Sequence, residues 1–387
     1  MNVTGKQVRL LALVAIIAIL VACPPSAIYT VLQQEERDNG LGGSGAWGAL
    51  GSPDFSGGAI GPISIASGPN GTASVVYHDW GAGPKATGMQ FNGSSWVVMG
   101  SPGFSAAGIS TPSVAYDSTG KVYVVYQDGV GGPPNYATVM QFNGVSWAAV
   151  GTPRFTPGNA TDTSLALDST NAPYVAFCDG ASGSRASVMK YSGSWGAVGA
   201  LDFSAGAAFS TSLAIDSSNT LYVAFGDTTQ GNKITVMRYS AGSWGVLGGA
   251  GFAGSANFVS LSVNPITAEP YVGFNDQSFG GKVSVWRFHV GAWMPVGIPG
   301  FSTGVAGGVS LKFSSTGVPY IAYEDSGAGN ADTVMLYNGT SWALVGRADF
   351  TPGAGSYVSL ALDSSNIPLV AFRDEANGFQ ASAMSYR

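Results

Sequence analysis

Seven aspartates recur at a fixed place along the 387-residue chain, and their carboxylates are the first groups that could do chemistry. Each follows a tryptophan by thirty-two residues; they are Asp79, Asp128, Asp179, Asp227, Asp276, Asp325 and Asp374. Carboxylate oxygens bind Ca²⁺ at ~2.4 Å, but seven equivalent strand ends would stand roughly 10 Å apart on a ring. We therefore predict that each Asp accepts backbone N–H bonds in its own turn, with no metal site and no cofactor.

The residue before each of these aspartates could recognise a ligand, because it differs in every copy while its neighbours repeat. The seven are His78, Gln127, Cys178, Gly226, Asn275, Glu324 and Arg373. A packed position would not tolerate this range, so we predict that it faces solvent or a ligand; drift at an unconstrained position is the alternative. Aromatic residues of the same loops would add platforms, so the candidate ligand-binding residues are His78, Trp80, Gln127, Tyr136, Asn275, Phe279, Glu324 and Arg373.

Groups that a catalytic site would need are few and far apart. His78 ends one predicted strand and His289 lies in a turn at the opposite end of such strands, so the two cannot form one acid–base pair. Cys178 has no histidine partner by the same geometry. The sequence contains no nucleophile elbow, phosphate loop, zinc-ligand spacing or sialidase Asp-box. No catalytic residue is predicted, although dispersed acids that converge in space would make a hydrolase or lyase.

The elements that position these residues come from a repeat of roughly fifty residues. Its tryptophans are Trp47, Trp96, Trp147, Trp195, Trp244, Trp293 and Trp342, each followed by Gly four residues later and Phe eight residues later. Every copy contains four short strand candidates, as at Ser359–Asp363, Tyr222–Asp227, Val188–Tyr191 and Trp96–Gly100. β-branched and aromatic residues alternate within them, and Gly, Asn and Ser separate them.

Four antiparallel strands repeated seven times predict an all-β, seven-bladed β-propeller over residues 46–387. The last copy stops after its third strand, whereas Trp47 begins an unpaired strand of the fourth type. Joining the two completes the last blade and leaves no open edge. A methionine and an aromatic residue that recur in the third strand are predicted to fill the space between blades.

In this arrangement the Ser-Leu-Ala strand is innermost and the Trp strand outermost, an architecture similar to that of WD40 propellers but without their Gly-His and Trp-Asp signatures. The Trp-containing repeats also resemble secreted lectin-like propellers of the tectonin and Photorhabdus type. That resemblance implies carbohydrate binding but assigns it to no named position.

The first residues predict export. Lys6 and Arg9 precede an apolar run from Leu10 to Val21, so residues 1–23 are typical of a signal peptide. The string ending at Cys23 resembles a bacterial lipoprotein box, which makes Cys23 a lipidation candidate; an uncleaved membrane-anchor helix is the further alternative. Residues 24–45 are predicted to form a flexible tether, and the protein is expected to be secreted or held at the extracellular surface. Sequons at Asn70, Asn92, Asn159 and Asn338 mark N-glycosylation candidates, or arise by accident from Asn-Gly turns.

Composition narrows the classes of function. The net charge is −6 and only 10% of residues are charged, with no basic cluster beyond the N-terminus, so nucleic-acid binding is excluded. Two cysteines imply no disulfide framework. The favoured hypothesis is a non-enzymatic binding module that recognises a glycan or an extracellular protein through loops on one face. A structural or assembly component of a cell surface is the first alternative, and the hydrolase or lyase is the second.

Overall fold

The computed structural model describes residues 45–129 and 132–387, which form seven four-stranded antiparallel sheets. The innermost strand of each sheet contacts the innermost strands of both neighbours, so the sheets are blades around a central channel. The predicted seven-bladed β-propeller is confirmed. The described part of the chain contains 3-10 turns but no α-helix. No helix in it is long and apolar enough to cross a membrane. The predicted signal or anchor helix, Cys23 and nearly all of the tether lie outside the described residues.

The strands are numbered along the chain, and each blade runs from its innermost to its outermost strand. Blade 1 has β2 (Ile60–Ser67), β3 (Ala73–Asp79), β4 (Lys85–Phe91) and β5 (Trp96–Val98). Blade 2 has β6 (Ile109–Tyr116), β7 (Val122–Asp128), β8 (Tyr136–Phe142) and β9 (Trp147–Ala149). Blade 3 has β10 (Ala160–Leu167), β11 (Pro173–Asp179), β12 (Arg185–Tyr191) and β13 (Trp195–Ala197). Blade 4 has β14 (Ala208–Ile215), β15 (Leu221–Asp227), β16 (Lys233–Ser240) and β17 (Ser243–Val246).

Blade 5 has β18 (Ala256–Val263), β19 (Pro270–Asp276), β20 (Lys282–His289) and β21 (Ala292–Pro295). Blade 6 has β22 (Ala306–Phe313), β23 (Pro319–Asp325), β24 (Ala331–Tyr337) and β25 (Trp342–Leu344). Blade 7 has β26 (Gly355–Leu362), β27 (Pro368–Asp374), β28 (Gln380–Tyr386) and, as its outermost strand, β1 (Trp47–Ala49). Single 3-10 turns follow the second strands of blades 3 to 6 at Gly180–Ser182, Thr228–Gln230, Gln277–Phe279 and Ser326–Ala328.

The last blade is closed by the two ends of the described chain, as predicted. Trp47 pairs with Tyr386 and Ala49 pairs with Met384 in antiparallel register. Ala46 and Arg387 then exchange two backbone hydrogen bonds of 2.7 and 3.1 Å. Closure by pairing removes the free edge that an open array of blades would expose.

The repeated Trp, Gly and Phe form an outer ring of contacts between blades. Each Trp Nε1 donates a hydrogen bond of 2.6–2.8 Å to a carbonyl of the preceding blade, three residues after that blade's own Trp. The indole also stacks on the preceding blade's Phe at 3.8–4.8 Å between ring centroids. The Gly beside that carbonyl has φ of 69–80°, which explains why no other residue replaces it.

A second ring of hydrogen bonds surrounds the channel. One serine of each innermost strand accepts the backbone N–H of the next innermost strand at 2.9–3.2 Å. These serines are Ser64, Ser113, Ser164, Ser212, Ser260, Ser310 and Ser359. Between the two rings, seven apolar clusters each join adjacent blades, and the repeated methionines and aromatic residues pack into them. The prediction that those residues fill the space between blades is confirmed.

Candidate ligand-binding face

Two sets of loops meet at one end of the propeller, which we call the upper face. In every blade the residue after the repeated Asp donates its N–H to a carbonyl just before the innermost strand, at 2.7–3.2 Å. The loops between second and third strands and the connections between blades are therefore tied together there. The turns between first and second strands, and between third and fourth strands, lie at the opposite end, the lower face.

The repeated aspartates organise the loops of the upper face. The first carboxylate oxygen accepts the N–H of the residue two positions later in five blades and three positions later in blade 1. The other oxygen of Asp79, Asp128 and Asp227 accepts a hydroxyl from a threonine of the third strand. The predicted turn role is thus confirmed for the six aspartates other than Asp128 by the backbone N–H groups that they accept. Among the described residues, no group of three or more His, Cys, Asp or Glu could hold a metal ion.

The prediction that the residue before each Asp faces solvent is wrong for most copies. Cys178, Asn275 and His78 are 1%, 3% and 9% exposed, and Gly226 is also buried. The other three, Gln127, Glu324 and Arg373, are half-buried. Burial raises the pKa of the Cys178 thiol to about 12, and it lowers the pKa of His78 despite the nearby Asp79.

Paired variation explains how this buried position tolerates seven different side chains. Each of these residues lies opposite a β-bulge in the innermost strand of its own blade, where the residues also differ between copies. Gly226 lies under the ring of Phe209, since a Cβ there would stand 2.2 Å from the Phe209 Cζ. Glu324 fills the space left by Gly307, whose Cβ would stand 2.2 Å from Glu324 Oε2. Complementary sizes, and not free exposure, therefore account for the variation.

The aromatic candidates from the second-to-third-strand loops fall into two classes. Trp80 and Phe279 are 54% and 46% exposed, and Trp80 lies against the buried His78 ring with 4.3 Å between centroids. Tyr136 is half-buried beneath Arg154, whose guanidinium carbon lies 4.7 Å from the ring centroid. Arg154 is held there by a 3.2 Å bond to the carbonyl of Pro134, so the ring of Tyr136 is covered on one side.

Three exposed aromatic residues escaped the sequence analysis: Phe258, Tyr357 and Phe379, which are 50%, 42% and 47% exposed. Phe258 and Tyr357 occupy the bulges of β18 and β26 with φ of 52° and 58°, and Phe379 precedes β28. The bulge position also differs in every copy, so comparing the innermost strands could have found two of the three. With Trp80 and Phe279 they form what we call the aromatic arc, on the upper face of blades 5, 7 and 1. In the described part of the chain, no other Phe, Tyr or Trp side chain is as exposed as these five.

A charged group stands within the arc on blade 7. The guanidinium carbon of Arg373 lies 4.7 Å from the Tyr357 ring centroid and 5.2 Å from that of Phe379. Its Nε donates to Ser356 Oγ and an Nη to Glu375 Oε1, both at 2.9 Å. The bond from Arg373 holds the pKa of Glu375 below its usual range. We call Ser356, Tyr357, Arg373, Glu375 and Phe379 the Arg373 cluster.

Blade 6 supports this cluster through Glu324. Its Oε1 accepts the backbone N–H of Tyr357 at 2.7 Å, across the boundary between blades 6 and 7. Burial raises the pKa of Glu324. Asp332, its cross-strand neighbour, is fully buried, so these two acids do not present a pair of accessible carboxylates for acid–base catalysis.

The remaining candidates lie where the strand pattern predicts. His289 is on the lower face, where it pairs with Glu269, so the two histidines are indeed at opposite ends of the blades. The sequon residues Asn70 and Asn92 are exposed in turns, and the half-buried Asn338 accepts two backbone N–H bonds in its own turn. Asn159 Oδ1 accepts the N–H of Asn135 in the loops of the upper face.

Comparison with known proteins identifies the fold but does not identify an activity. No family model and no curated protein matches the chain. The Aleuria aurantia lectin in complex with Fucα1-6GlcNAc aligns with a TM-score of 0.52 and 16% identity over 78% of this chain and 99% of its own. An ulvan lyase aligns with a TM-score of 0.54 and 13% identity over 84% of this chain and 94% of its own. A xyloglucanase from Xanthomonas campestris aligns with a TM-score of 0.57 and 16% identity over 88% of this chain and 53% of its own. Identity this low establishes architecture alone: the chain is a seven-bladed β-propeller of four-stranded antiparallel blades, without WD40 signatures.

Proposed function

We propose that the protein is a non-enzymatic carbohydrate-binding module that recognises a glycan on its upper face. The aromatic arc carries this proposal, because Trp80, Phe258, Phe279, Tyr357 and Phe379 expose their rings on one face and no other aromatic of the described residues is as exposed. Exposed apolar side chains gathered on one face mark an interaction site. A flat aromatic face packs well against the C–H face of a sugar ring, which buries apolar area on both partners.

The Arg373 cluster supplies the polar half of such recognition. A sugar hydroxyl both donates and accepts hydrogen bonds, whereas guanidinium only donates and carboxylate only accepts. Arg373 and Glu375 are 2.9 Å apart and partly exposed, with side-chain accessibilities of 21% and 34%. Because the two rings and Ser356 already hold the guanidinium in place, binding would cost little ordering of this side chain.

Lectin-like and carbohydrate-active neighbours of the same fold support a glycan as ligand, although their low identity transfers no residue. The candidates Trp80, Phe279, Glu324 and Arg373 belong to or support the proposed site, and His78 supports Trp80 from beneath. Gln127, Tyr136 and Asn275 lie on the same face without exposed rings. Export by residues 1–23, with attachment at Cys23 as one route, is part of the proposal because an extracellular glycan requires it.

The test is a glycan array with the folded protein, followed by affinity measurement for the best glycan. Tyr357→Ala and Arg373→Gln should each weaken binding at least tenfold, which corresponds to about 1.4 kcal/mol. Val145→Ala is the matched control, because Val145 is 80% exposed but lies in a lower-face turn. Unchanged affinity in both upper-face variants, or a folded protein that binds no glycan, would overturn the proposal.

The two alternatives predict different observations. Release of reducing ends or unsaturated products from a polysaccharide would replace binding by hydrolase or lyase chemistry. Self-association at micromolar concentration, measured by mass photometry and unaffected by Tyr357→Ala, would favour a surface-assembly component. Capture of an extracellular protein that is independent of its glycans would make that protein the ligand.

A further inference from the structure

A cavity of about 200 Å³ opens on the lower face between blades 4 and 5, at the opposite end of the blades from the aromatic arc. Apolar side chains form one part of its wall, and a cation and an acid form another: Leu247, Pro270, Phe288 and Val290, with Arg238 of blade 4 and Glu269 of blade 5. Pockets for drug-sized ligands measure ~300–1,000 Å³, so this cavity suits a smaller molecule that is partly apolar and partly charged.

Arg238 brings hydrogen-bond donors to the cavity that no protein group uses. Four other blades have a long polar side chain at the equivalent position, and each of these donates to a hydroxyl or a carboxylate: Gln90, Gln141, Lys190 and Arg287. Arg238 makes no hydrogen bond or ion pair with any residue that the structure describes. The hydroxyl of its cross-strand neighbour Tyr222 donates to Asp216 at 3.4 Å instead. The guanidinium is therefore available to a ligand.

The acid of the cavity does not neutralise Arg238, because it is paired within blade 5. Oε1 of Glu269 pairs with Nδ1 of His289, and Oε2 lies 4.0 Å from Nη1 of Arg287. The loop that carries Glu269, residues 264–269, has six residues, whereas five connect the corresponding strands of every other blade. The wall that blade 5 contributes is therefore specific to this blade, and it leaves the positive charge of Arg238 unopposed.

Val290 is an apolar residue of the cavity wall in an unfavourable conformation. It is 88% exposed and has φ of 47°, which a β-branched residue rarely adopts. The equivalent residues of the turns of equal length are smaller: Gly93, Gly144, Ala241 and Gly339. An exposed valine with this φ stabilises no packing inside the blade. Such strain is typical of a side chain that serves a ligand.

We propose that this cavity binds a small organic carboxylate. The guanidinium of Arg238 holds the carboxylate group, since the two match as a bidentate hydrogen-bonded pair. Leu247, Phe288 and Val290 contact the apolar body of the ligand. Phosphate and sulfate are disfavoured, because they would place polar oxygens against this apolar wall without hydrogen bonds. The site lies on the lower face and is independent of the proposed glycan site.

NMR titration of the full chain with butyrate and benzoate tests the proposal, with butyramide and benzamide as uncharged counterparts of similar shape. Both carboxylates should bind wild type saturably, and each amide should bind at least tenfold more weakly. Arg238→Gln should raise the Kd of the carboxylates at least tenfold. This variant should fold, since Gln90 and Gln141 occupy the same position in blades 1 and 2. Arg185→Gln is the matched control, because Arg185 is an exposed arginine at the upper face.

Val290→Asn separates the apolar contact from the charge. Asn adopts positive φ more readily than Val, so this variant should unfold at a higher temperature than wild type. Its Kd for butyrate should nevertheless rise at least threefold, because the apolar wall is lost.

A direct readout is a crystal grown with 4-bromobenzoate, which should give an anomalous bromine peak in the cavity of wild type and none in Arg238→Gln. A wild type that binds no carboxylate, amides that bind as tightly as the carboxylates, or an unchanged Kd in Arg238→Gln would overturn the proposal. Failure of glycan binding on the upper face would affect none of these results.

Discussion

Asp332 is a fully buried carboxyl group whose two oxygens have no hydrogen-bond partner among the residues that the structure describes, and we expect its replacement to stabilise the protein. The equivalent residue is apolar in the six other blades: Ala86, Ala137, Ala186, Ile234, Val283 and Ala381. Gly355 of blade 7 makes room for it, because a Cβ on Gly355 would stand 2.5 Å from Asp332 Oδ2. Every other blade has Ala or Ile in the place of Gly355. The two residues therefore depart from the repeat as a pair.

The magnitude follows from what the carboxyl group loses on burial. An uncharged polar group that is buried without a partner costs about 1–3 kcal/mol. Asp332→Ala should therefore raise the free energy of unfolding by about 1–2 kcal/mol, after the loss of a few packing contacts. Gly355→Ala alone should lower it by about 1–3 kcal/mol, because its Cβ overlaps the carboxylate. In the double variant that penalty should disappear, giving a coupling energy of at least about 1 kcal/mol.

The pH dependence has a defined sign. Burial, with Glu324 and Asp374 nearby, raises the pKa of Asp332 well above its usual range. The folded protein thus binds this proton more tightly than the unfolded chain does. Its contribution to stability is fully present below about pH 4, the unfolded pKa, and is lost as the pH rises through the folded pKa. The difference in free energy of unfolding between Asp332→Ala and wild type should therefore grow with pH. The raised pKa of Glu324 also lowers stability as the pH rises, but it does so in both proteins.

Urea unfolding followed by Trp fluorescence, between about pH 4 and pH 8, measures these effects. Asp332→Asn should remove the growth with pH while retaining most of the cost of polarity. Asp349→Asn, at an exposed carboxylate of the same blade connection, is the matched control. The reasoning is refuted if Asp332→Ala is less stable than wild type at every pH, or if Gly355→Ala costs the same in both backgrounds.

Two further predictions concern the framework. Trp195→Phe keeps a ring against Phe155 but removes the hydrogen bond to the carbonyl of Val150, so it should lower the free energy of unfolding by about 1 kcal/mol. An unchanged urea midpoint would show that this hydrogen bond of the outer ring does not stabilise the protein. Burial, which raises the pKa of the Cys178 thiol to about 12, should protect it from thiol reagents at pH values near neutral. In a variant with Cys23 replaced by Ser, we expect thiol labelling to proceed only through unfolding. Labelling of the folded protein at the rate of a free thiol would contradict this.

The framework was predictable from sequence because each repeated residue makes the same contact in every blade. The recurring Trp, Gly and Phe mark the outer ring, and the strand pattern identifies the innermost strands. The missing fourth strand of the last copy was found at Trp47, where the structure pairs it with β28. Asp179 and its equivalents were assigned to turns by a distance argument, and six of the seven carboxylates accept a backbone N–H in their own loop.

The candidate site was less predictable because its residues depend on contacts that no single position reveals. Variation before each Asp suggested exposure, yet Cys178 and Asn275 are buried against bulges whose residues vary with them. The alternation of inward and outward residues along a strand does not predict a bulge. The bulge in β26 shifts the register and turns Tyr357 outward. Tyr136 was predicted to be an aromatic platform of a loop, but it is the first residue of β8 and is covered by Arg154, which lies eighteen residues further along the chain.

Departures from the repeat concentrate at the boundary between blades 6 and 7. Asp332 replaces an apolar residue there and Gly355 accommodates it, while Glu324 crosses the same boundary to hold the backbone of Tyr357. A framework that works in six other interfaces gains no stability from a buried, unpartnered carboxyl group. Gly355 and Glu324 are close to the Arg373 cluster, because Gly355 lies two residues before Tyr357 and Glu324 accepts its backbone N–H, so the interface with the buried carboxyl group also holds the backbone of the proposed glycan site. We therefore expect the stability cost of Asp332 to fall at the boundary that supports the proposed glycan site, as happens when a framework is altered for function at the expense of stability.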